Sequence, residues 1–179
     1  MKIPTSFEGY NVLEIINCGG TSVVALVEDQ NMHSKYSAKI ISKKYAIEQH
    51  LLQSIESEIK ILKMINHPNI IQFYDSFEIY NDDKEKLIVI ITEYCSNGDL
   101  LNFALNHQNE FQKKSIQLKI FNGFLSSIKY LHEKRISHCD IKAENILHDS
   151  NLNPKLCDFG YSQTTVFQND ESFKRGTVY

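Results

Sequence analysis

The sequence lacks an excess of charge of either sign. Its 179 residues include 19 Lys and Arg against 22 Asp and Glu, which gives a net charge of −3. A chain so close to neutral has no overall field that would hold it on nucleic acid or on an anionic membrane surface. Neither kind of partner is therefore indicated, and a charged ligand must be recognised by a local cluster of side chains.

Long apolar runs and paired cysteines are also missing. The N-terminal stretch MKIPTSFEGY has no apolar signal-like core, and LIVIITEY at residues 87–94 is far shorter than the about 20 residues that span a bilayer. The cysteines form no C-x-x-C pair, which argues against a zinc site and against a secreted disulfide framework. They are Cys18, Cys95, Cys139 and Cys157. We therefore expect an intracellular, cytoplasmic protein with reduced thiols and no membrane span.

The chain does have enough apolar residues, 42%, for the core of one domain or a little more. Three β-rich runs near the start, YNVLEIIN, SVVALVE and KYSAKII, are separated by turn residues and predict a small antiparallel sheet. Residues 48–65 predict a helix, because their apolar side chains recur at the spacing of one helix face. Those side chains are Leu51, Leu52, Ile55, Ile59, Leu62 and Ile65.

The rest of the chain continues with a hairpin and then changes to a helical pattern. Residues 70–80 and 87–94 predict a hairpin with the charged tip NDDKEK, and residues 115–135 carry the wide apolar stripe of a buried helix. Short strands interrupted by loops follow, from ISHCD to PKLCDFG. This order predicts a strand-rich front and a helical back, joined by a connector at residues 93–99 that forms the floor of a cleft.

A cluster of polar residues lies in HCDIKAENIL, residues 138–147. Asn145 and the later Asp158 carry side-chain oxygens suited to Mg²⁺, which takes few protein ligands and completes its shell with water and phosphate oxygens. Asp140 is then free to accept a proton, and Lys142 offers a positive charge to a transferring phosphoryl group. Each residue alone is a weak signal, because an acid in a loop is usually a solvated or capping residue. Their combination is therefore the informative feature.

The same stretch resembles the catalytic loop of the eukaryotic protein kinases, H-R-D-x-K-x-x-N, followed at the family's spacing by D-F-G. INCGGTSVV resembles the glycine-rich phosphate loop of that family, and Lys39 in YSAK matches its phosphate-binding lysine. Glu58 falls inside the apolar stripe of the first helix, where an unpaired carboxylate would be costly. The resemblance implies that Glu58 pairs with Lys39. The alternatives are that Lys39 is an ordinary surface lysine and that Glu58 lies at the edge of the helix face with its carboxylate in solvent.

ATP and Mg²⁺ are the cofactors that the resemblance implies. Catalytic roles are carried over to Asp140, Lys142, Lys39 and Glu58, and metal binding to Asn145 and Asp158. The nucleotide-binding residues carried over in the same way are Ile16, Asn17, Gly19, Ser22, Val24, Ser37, Lys39, Thr92, Glu93, Cys95, Asp99 and Leu147. Among these, Thr92 matches the gatekeeper, and the backbone of Glu93 and Cys95 matches the positions that bind the adenine edge.

The implied fold class is α+β, a bilobal protein-kinase-like fold with a complete N-lobe and a partial C-lobe. Residues 7–92 match the N-lobe, with a five-stranded antiparallel sheet and helix C, and residues 93–99 match the hinge. Residues 100–179 match a partial C-lobe that contains the catalytic loop and the start of the activation segment. Because the chain stops before an A-P-E motif, we expect the 115–135 helix to expose apolar surface and the fragment to be marginally stable or aggregation-prone.

The lysine in DIKAEN and the GTVY at residues 176–179 resemble the serine/threonine branch of the family. In that branch Thr177 would contact Asp140 and Lys142. The implied partner is a protein substrate, and the acids Asp99 and Glu144 match positions that in some members receive basic residues of the substrate. The sequence gives no oligomeric state.

Several positions depart from the family pattern, among them Ala143, which replaces the usual proline of the catalytic loop. Asn17 and Ser22 replace two of the three usual glycines, from which we expect weaker ATP binding but not its loss, and Ser37 replaces an alanine that packs on adenine. Cys139 replaces the arginine that pairs with an activation-loop phosphate. We therefore expect that phosphates at Ser172 or its neighbours do not switch the enzyme.

A second interpretation is a pseudokinase or binding module that keeps the fold for protein contacts, and the altered phosphate loop favours it. Against it, every residue needed for metal, base and phosphate is present. A P-loop NTPase is excluded, because no G-K-S/T follows the glycines.

Overall fold

A six-stranded antiparallel sheet occupies the first half of the chain in the computed structural model, which describes residues 1–164. Along the sheet the strand order is β1-β2-β3-β4-β6-β5. The strands are β1 (Ser6–Phe7), β2 (Tyr10–Cys18), β3 (Ser22–Asp29), β4 (Lys35–Ser42), β5 (Phe73–Tyr80) and β6 (Lys86–Glu93). The prediction of five strands was short by one, because the two-residue β1 is too brief to show a period-2 pattern.

The sheet is covered on both faces. Along β6, Leu87, Val89 and Ile91 belong to one apolar cluster, and the alternate residues Ile88 and Ile90 belong to a second cluster on the opposite face. Successive side chains of a strand point to opposite faces. The unbroken apolar run of β6 is therefore explained by a central strand that is buried on both sides.

Two helices follow β4 where the sequence predicts one. Helix α1 (Lys43–Glu48) is capped by Ser42, whose hydroxyl accepts a 3.2 Å bond from the Tyr45 amide. Helix α2 (Leu52–Met64) begins only after His50, which has a φ of +56° and so breaks the helical path. The apolar face of α2 packs into the core as predicted, and it carries Glu58 with it.

The second half of the described chain contains α3 (Leu100–Asn106), α4 (Gln108–Phe111), α5 (Lys114–Glu133), β7 (Ile136–Ser137), β8 (Ile146–His148), β9 (Pro154–Leu156) and β10 (Gln163–Thr164). Strands β8 and β9 pair with each other, and β10 pairs with β7. The predicted bilobal α+β class agrees with this arrangement. No helix in residues 1–164 is both long and apolar enough to cross a membrane.

Helix α5 buries only part of its apolar stripe. Ile120 and Leu131 are buried, whereas Leu118, Phe121 and Leu125 are 48%, 56% and 46% exposed. The prediction that this helix exposes apolar surface is confirmed, and the expectation of a buried helix holds for only part of its apolar stripe.

Strand β9 joins the two halves. The Leu156 amide donates to the Asn69 carbonyl at 2.9 Å, and the Ile71 amide donates to the Leu156 carbonyl at 2.9 Å. Beside these bonds, Lys155 Nζ lies 2.8 Å from Glu93 Oε1 at the end of β6. The strand that leads directly to Asp158 is thus attached to both the sheet and the loop after α2.

Candidate active site

His138 anchors the loop that follows β7. Its ring is buried and donates through Nε2 to the Cys157 carbonyl at 2.9 Å, while Nδ1 accepts from the Asp140 amide at 3.3 Å. Because one nitrogen donates and the other accepts, the ring is neutral, and burial lowers its pKa. The intervening Cys139 has a φ of +63°, in the left-handed region that few residues other than glycine adopt.

Asp140 is held by two neighbours. Lys142 Nζ lies 2.9 Å from Asp140 Oδ2, and Asn145 donates from Nδ2 to the carbonyl of Asp140 at 2.8 Å and to Oδ2 at 2.9 Å. The bond from Lys142 lowers the pKa of Asp140, and the Asn145 bond adds to this against the effect of burial. Asp140 is therefore an oriented carboxylate at neutral pH.

Asp158 comes close to this loop through the backbone. The Cys157 amide donates to the Asn145 carbonyl at 2.9 Å, so Asn145 lies beside the residue that precedes Asp158. Asp158 has a φ of +62°, and its side chain is 40% exposed. Its Oδ1 is 3.6 Å from Lys39 Nζ.

Lys39 and Glu58 form a bidentate ion pair. Lys39 Nζ is 2.8 Å from Glu58 Oε1 and 2.9 Å from Oε2, and Glu58 is only 5% exposed. Burial lowers the pKa of Lys39, but the charges of Glu58 and Asp158 outweigh burial, and the net shift is upward. The ammonium therefore stays charged between two carboxylates that come from different parts of the chain.

The donor atoms near Asp158 suit Mg²⁺. Asn145 uses its amide nitrogen on Asp140, which leaves its amide oxygen for another contact, and the half-exposed Asp158 offers a carboxylate oxygen. Mg²⁺ is commonly bound by one or two such oxygens together with phosphate and water. Residues 1–164 contain no cluster of three or more His, Cys, Asp or Glu side chains able to hold a metal without such help.

The predicted nucleotide-binding residues fall into three groups. Asn17 and Lys39 both pair with Val24 in the sheet, Ser37 pairs with Thr92, and Asp99 bridges to Leu147. Ile16, at a bulge of β2, is 46% exposed. The first two groups are brought together by strand register and the third by an isolated bridge, in each case between residues distant in the sequence.

In the turn between β2 and β3, the Gly19 amide donates to the Ser22 carbonyl at 2.9 Å. At Gly20, an added Cβ would meet nothing within 4 Å. Neither Asn17 nor Ser22 has a positive φ. The backbone of this loop therefore does not need glycine at the two substituted positions.

Several side chains at the end of β6 and in the segment after it make hydrogen bonds or ion pairs within the protein. The Glu93 carboxylate binds Lys155 and accepts from the Gln72 amide at 2.8 Å, and Asp99 caps α3 by accepting from the Asn102 amide at 2.8 Å. Burial raises the pKa of Cys95 to about 12 and also raises that of Cys157. A raised pKa keeps both thiols protonated at neutral pH, so neither is activated.

Sequence reasoning missed two residues close to this site. Ser54, one helical turn before Glu58, donates its hydroxyl to the Gly160 carbonyl, and the buried Ser162 donates to the His138 carbonyl at 3.1 Å. Ser54 could have been found from the sequence, because it lies four residues before Glu58 and so on the same face of the predicted helix. Ser172 and Thr177, named from the sequence, lie outside the described residues.

Comparison with known proteins gives the family. The pattern of the protein kinase domain matches residues 10–179 of the chain. The chain therefore belongs to the protein kinase family.

Curated relatives include serine/threonine-protein kinases of vertebrates. Serine/threonine-protein kinase SIK1 of Rattus norvegicus is 32% identical over 156 residues, which is 85% of this chain and 19% of the relative. Serine/threonine-protein kinase SIK3 homolog of Danio rerio is 33% identical over 160 residues, which is 89% of this chain and 13% of the relative. The chain spans less than a fifth of the length of these relatives.

Proposed function

We propose that the protein is a serine/threonine protein kinase that transfers the γ-phosphoryl group of ATP to a Ser or Thr hydroxyl of a protein substrate. The observation that supports it best is the ion-pair network of Lys39 with Glu58 and Asp158, which joins residues of a strand, a helix and a distant loop. The network keeps the Lys39 ammonium charged beside Asp158, which is the state that binding of phosphate groups requires.

In this proposal each residue has a separate role. Asp140, an oriented carboxylate, positions the substrate hydroxyl and accepts its proton, and Lys142 stabilises charge on the γ-phosphoryl group. Lys39, set by Glu58, binds the α- and β-phosphates. Mg²⁺ bound by Asn145 and Asp158 would neutralise charge on the phosphate oxygens.

The nucleotide is proposed to lie under the β2–β3 turn. Thr92 acts as gatekeeper, and the backbone of Glu93 and Cys95 binds the adenine edge. The side chain of Glu93 is bound to Lys155 and its amide donates to the Gln72 carbonyl at 2.9 Å, so the proposed adenine contact is with the Glu93 carbonyl. The proposed divisions are an N-lobe at 7–92, a hinge at 93–99 and a partial C-lobe at 100–179.

We propose a substrate with basic residues near the target hydroxyl. Glu144 is proposed to bind these basic residues more than Asp99 does. Glu144 is exposed, whereas both carboxylate oxygens of Asp99 are engaged by Asn102. A cytoplasmic location is proposed as well. The free thiols of all four cysteines support it, because reducing compartments keep thiols unpaired.

The test is phosphate transfer from γ-labelled ATP with Mg²⁺ to a set of Ser/Thr peptides, using the full-length protein that contains this chain. Asp140→Asn and Lys39→Met should each lower turnover by about 10²-fold or more. Lys44→Met is the matched control, because Lys44 is exposed. Equal transfer by all these proteins would contradict the proposal and favour the non-catalytic binding module.

A further inference from the structure

Helix α2 is attached to the turn at Asp158 by two contacts one helical turn apart. Ser54 and Glu58 lie on the same face of the helix, because residues four apart are neighbours on a helix surface. Glu58 reaches Asp158 through Lys39, and Ser54 reaches Gly160 directly with its hydroxyl. Rotation or outward movement of α2 would break both contacts.

Gly160 lies close to both acids of this network. A Cβ built on Gly160 would be 3.4 Å from Asp158 Oδ1 and 3.8 Å from Glu58 Oε2. The carbonyl that accepts from Ser54 thus belongs to the residue between the two carboxylates that flank Lys39. Fixing this carbonyl fixes the peptide between Gly160 and Tyr161, two residues after Asp158, and so limits the orientations open to Asp158.

Further hydroxyl and backbone contacts hold the next residues. The Ser162 amide donates to the Phe159 carbonyl at 3.0 Å, its hydroxyl binds the His138 carbonyl, and β10 pairs with β7 at Gln163↔Ser137. None of these contacts involves a charged group. Cys139, which offers only a weak thiol donor, bonds to the Ser137 carbonyl at 3.5 Å.

From this geometry we infer that Ser54 is a positioning residue, whose hydroxyl couples the helix that carries Glu58 to the turn that carries Asp158. The inference rests on the proposed function for its consequence in catalysis, but the coupling is a property of the chain without nucleotide. Removing the hydroxyl leaves the Gly160 carbonyl without this donor and frees the turn from the helix.

Hydrogen exchange in the nucleotide-free protein tests the coupling. We expect Ser54→Ala to speed exchange of the amides at residues 159–162 by about threefold to tenfold, the equivalent of one net hydrogen bond. Ser54→Thr keeps the hydroxyl and should restore slow exchange. Ser57→Ala, the same substitution at an exposed site of α2, should leave these amides unchanged.

The amides of α5, far along the chain from this turn, serve as an internal reference. If Ser54→Ala accelerates 159–162 no more than Ser57→Ala does, the inference is wrong. It is also wrong if the amides of α5 accelerate by the same factor, because the effect would then be global destabilisation and not local release.

Catalysis gives the second measurement. With Ser54→Ala we expect kcat to fall about threefold to tenfold and the Mg²⁺ concentration at half-maximal rate to rise by a similar factor, while KM for ATP at saturating Mg²⁺ changes less than twofold. An unchanged Mg²⁺ requirement would contradict the role of Ser54 at Asp158. If the unsubstituted protein transfers no phosphate, the proposed function fails, whereas hydrogen exchange still decides whether Ser54 couples helix and turn.

Discussion

Lys39 and Glu58 face each other between strand β4 and helix α2, with both carboxylate oxygens within 2.9 Å of the ammonium. The two residues are 19 positions apart in the chain, and the pair is shielded because Glu58 is buried. The energetic cost of burying Glu58 is offset only while Lys39 stays charged and in contact. The pair therefore fixes the angle of α2 against the sheet as well as the position of the lysine.

Glu58→Gln should lower kcat/KM for phosphate transfer by about 10²-fold, because a misplaced Lys39 no longer points at the phosphates. We also expect a loss of roughly 1–3 kcal/mol in the free energy of unfolding, since Lys39 then loses its closer partner. Steady-state kinetics and urea unfolding measure the two effects. Glu56→Gln, an exposed acid on the same helix, is the control. Similar kinetics for the two variants would contradict the role of Glu58.

Treatment with phosphatase should leave turnover within about twofold of the untreated value, because Cys139 provides no charge to pair with a phosphate. The measurement is the transfer rate before and after treatment, with loss of phosphate followed by mass spectrometry. Cys139→Arg is the informative comparison, because an arginine there would restore a cationic partner and make the rate sensitive to the treatment. A collapse in the rate of the unsubstituted protein would contradict the prediction.

Much of the fold could be predicted from local sequence pattern. The burial of Glu58 followed from its place in an apolar stripe, since a carboxylate there needs a partner. The contact between Lys155 and Glu93 could not be predicted, because the two residues are 62 positions apart and each alone is typical of an exposed strand position. Helix α1 was missed for a different reason: at six residues it has too few turns for a periodic signal.

Gly123→Ala should destabilise the protein by about 1–3 kcal/mol, although alanine is the better helix former. A Cβ at Gly123 would lie 2.5 Å from Pro154 Cγ and 2.7 Å from Asn69 Nδ2, where α5 crosses the loop attached to β9. Both neighbours are held by the Asn69 bond to the Pro154 carbonyl at 3.1 Å, so they have little room to move. Thermal unfolding measures the effect. Asn122→Ala, exposed on the same helix, should be neutral or stabilising.

The exposed side chains Leu118, Phe121 and Leu125 should make the 179-residue chain associate at high concentration. Phe121→Lys with Leu125→Lys should shift the sedimentation coefficient toward the monomer without lowering the melting temperature, because neither side chain is part of the core. Ile120→Ala is the contrast, since this buried residue of the same helix should lower stability by about 2–5 kcal/mol. A monomeric chain with a sharp thermal transition at high concentration would contradict the prediction.

His148→Leu should stabilise the protein by about 1 kcal/mol at pH 7, because the change removes a buried polar group at similar volume. The His148 ring is fully buried against Phe103, with ring centroids 5.3 Å apart, and neither ring nitrogen makes a well-formed hydrogen bond among the described residues; the Gly98 backbone only partly opposes the effect of burial on its pKa. Urea unfolding at pH 7 measures the gain. His107→Leu is the matched control, because His107 also stacks on Phe103, at 5.2 Å, but is exposed.

The same substitution should also flatten the dependence of stability on pH. Burial lowers the pKa of His148 below its ordinary value of 6.5, so between these two values the unfolded chain binds more protons than the folded chain. Stability is therefore lost as pH falls below about 6.5 and is regained as pH rises. Burial lowers the pKa of His138 and His67 as well, so part of the slope should remain in His148→Leu. Unfolding free energies measured from pH 7.5 to 5.5 test this, and identical slopes in the two proteins would show that His148 does not titrate differently on folding.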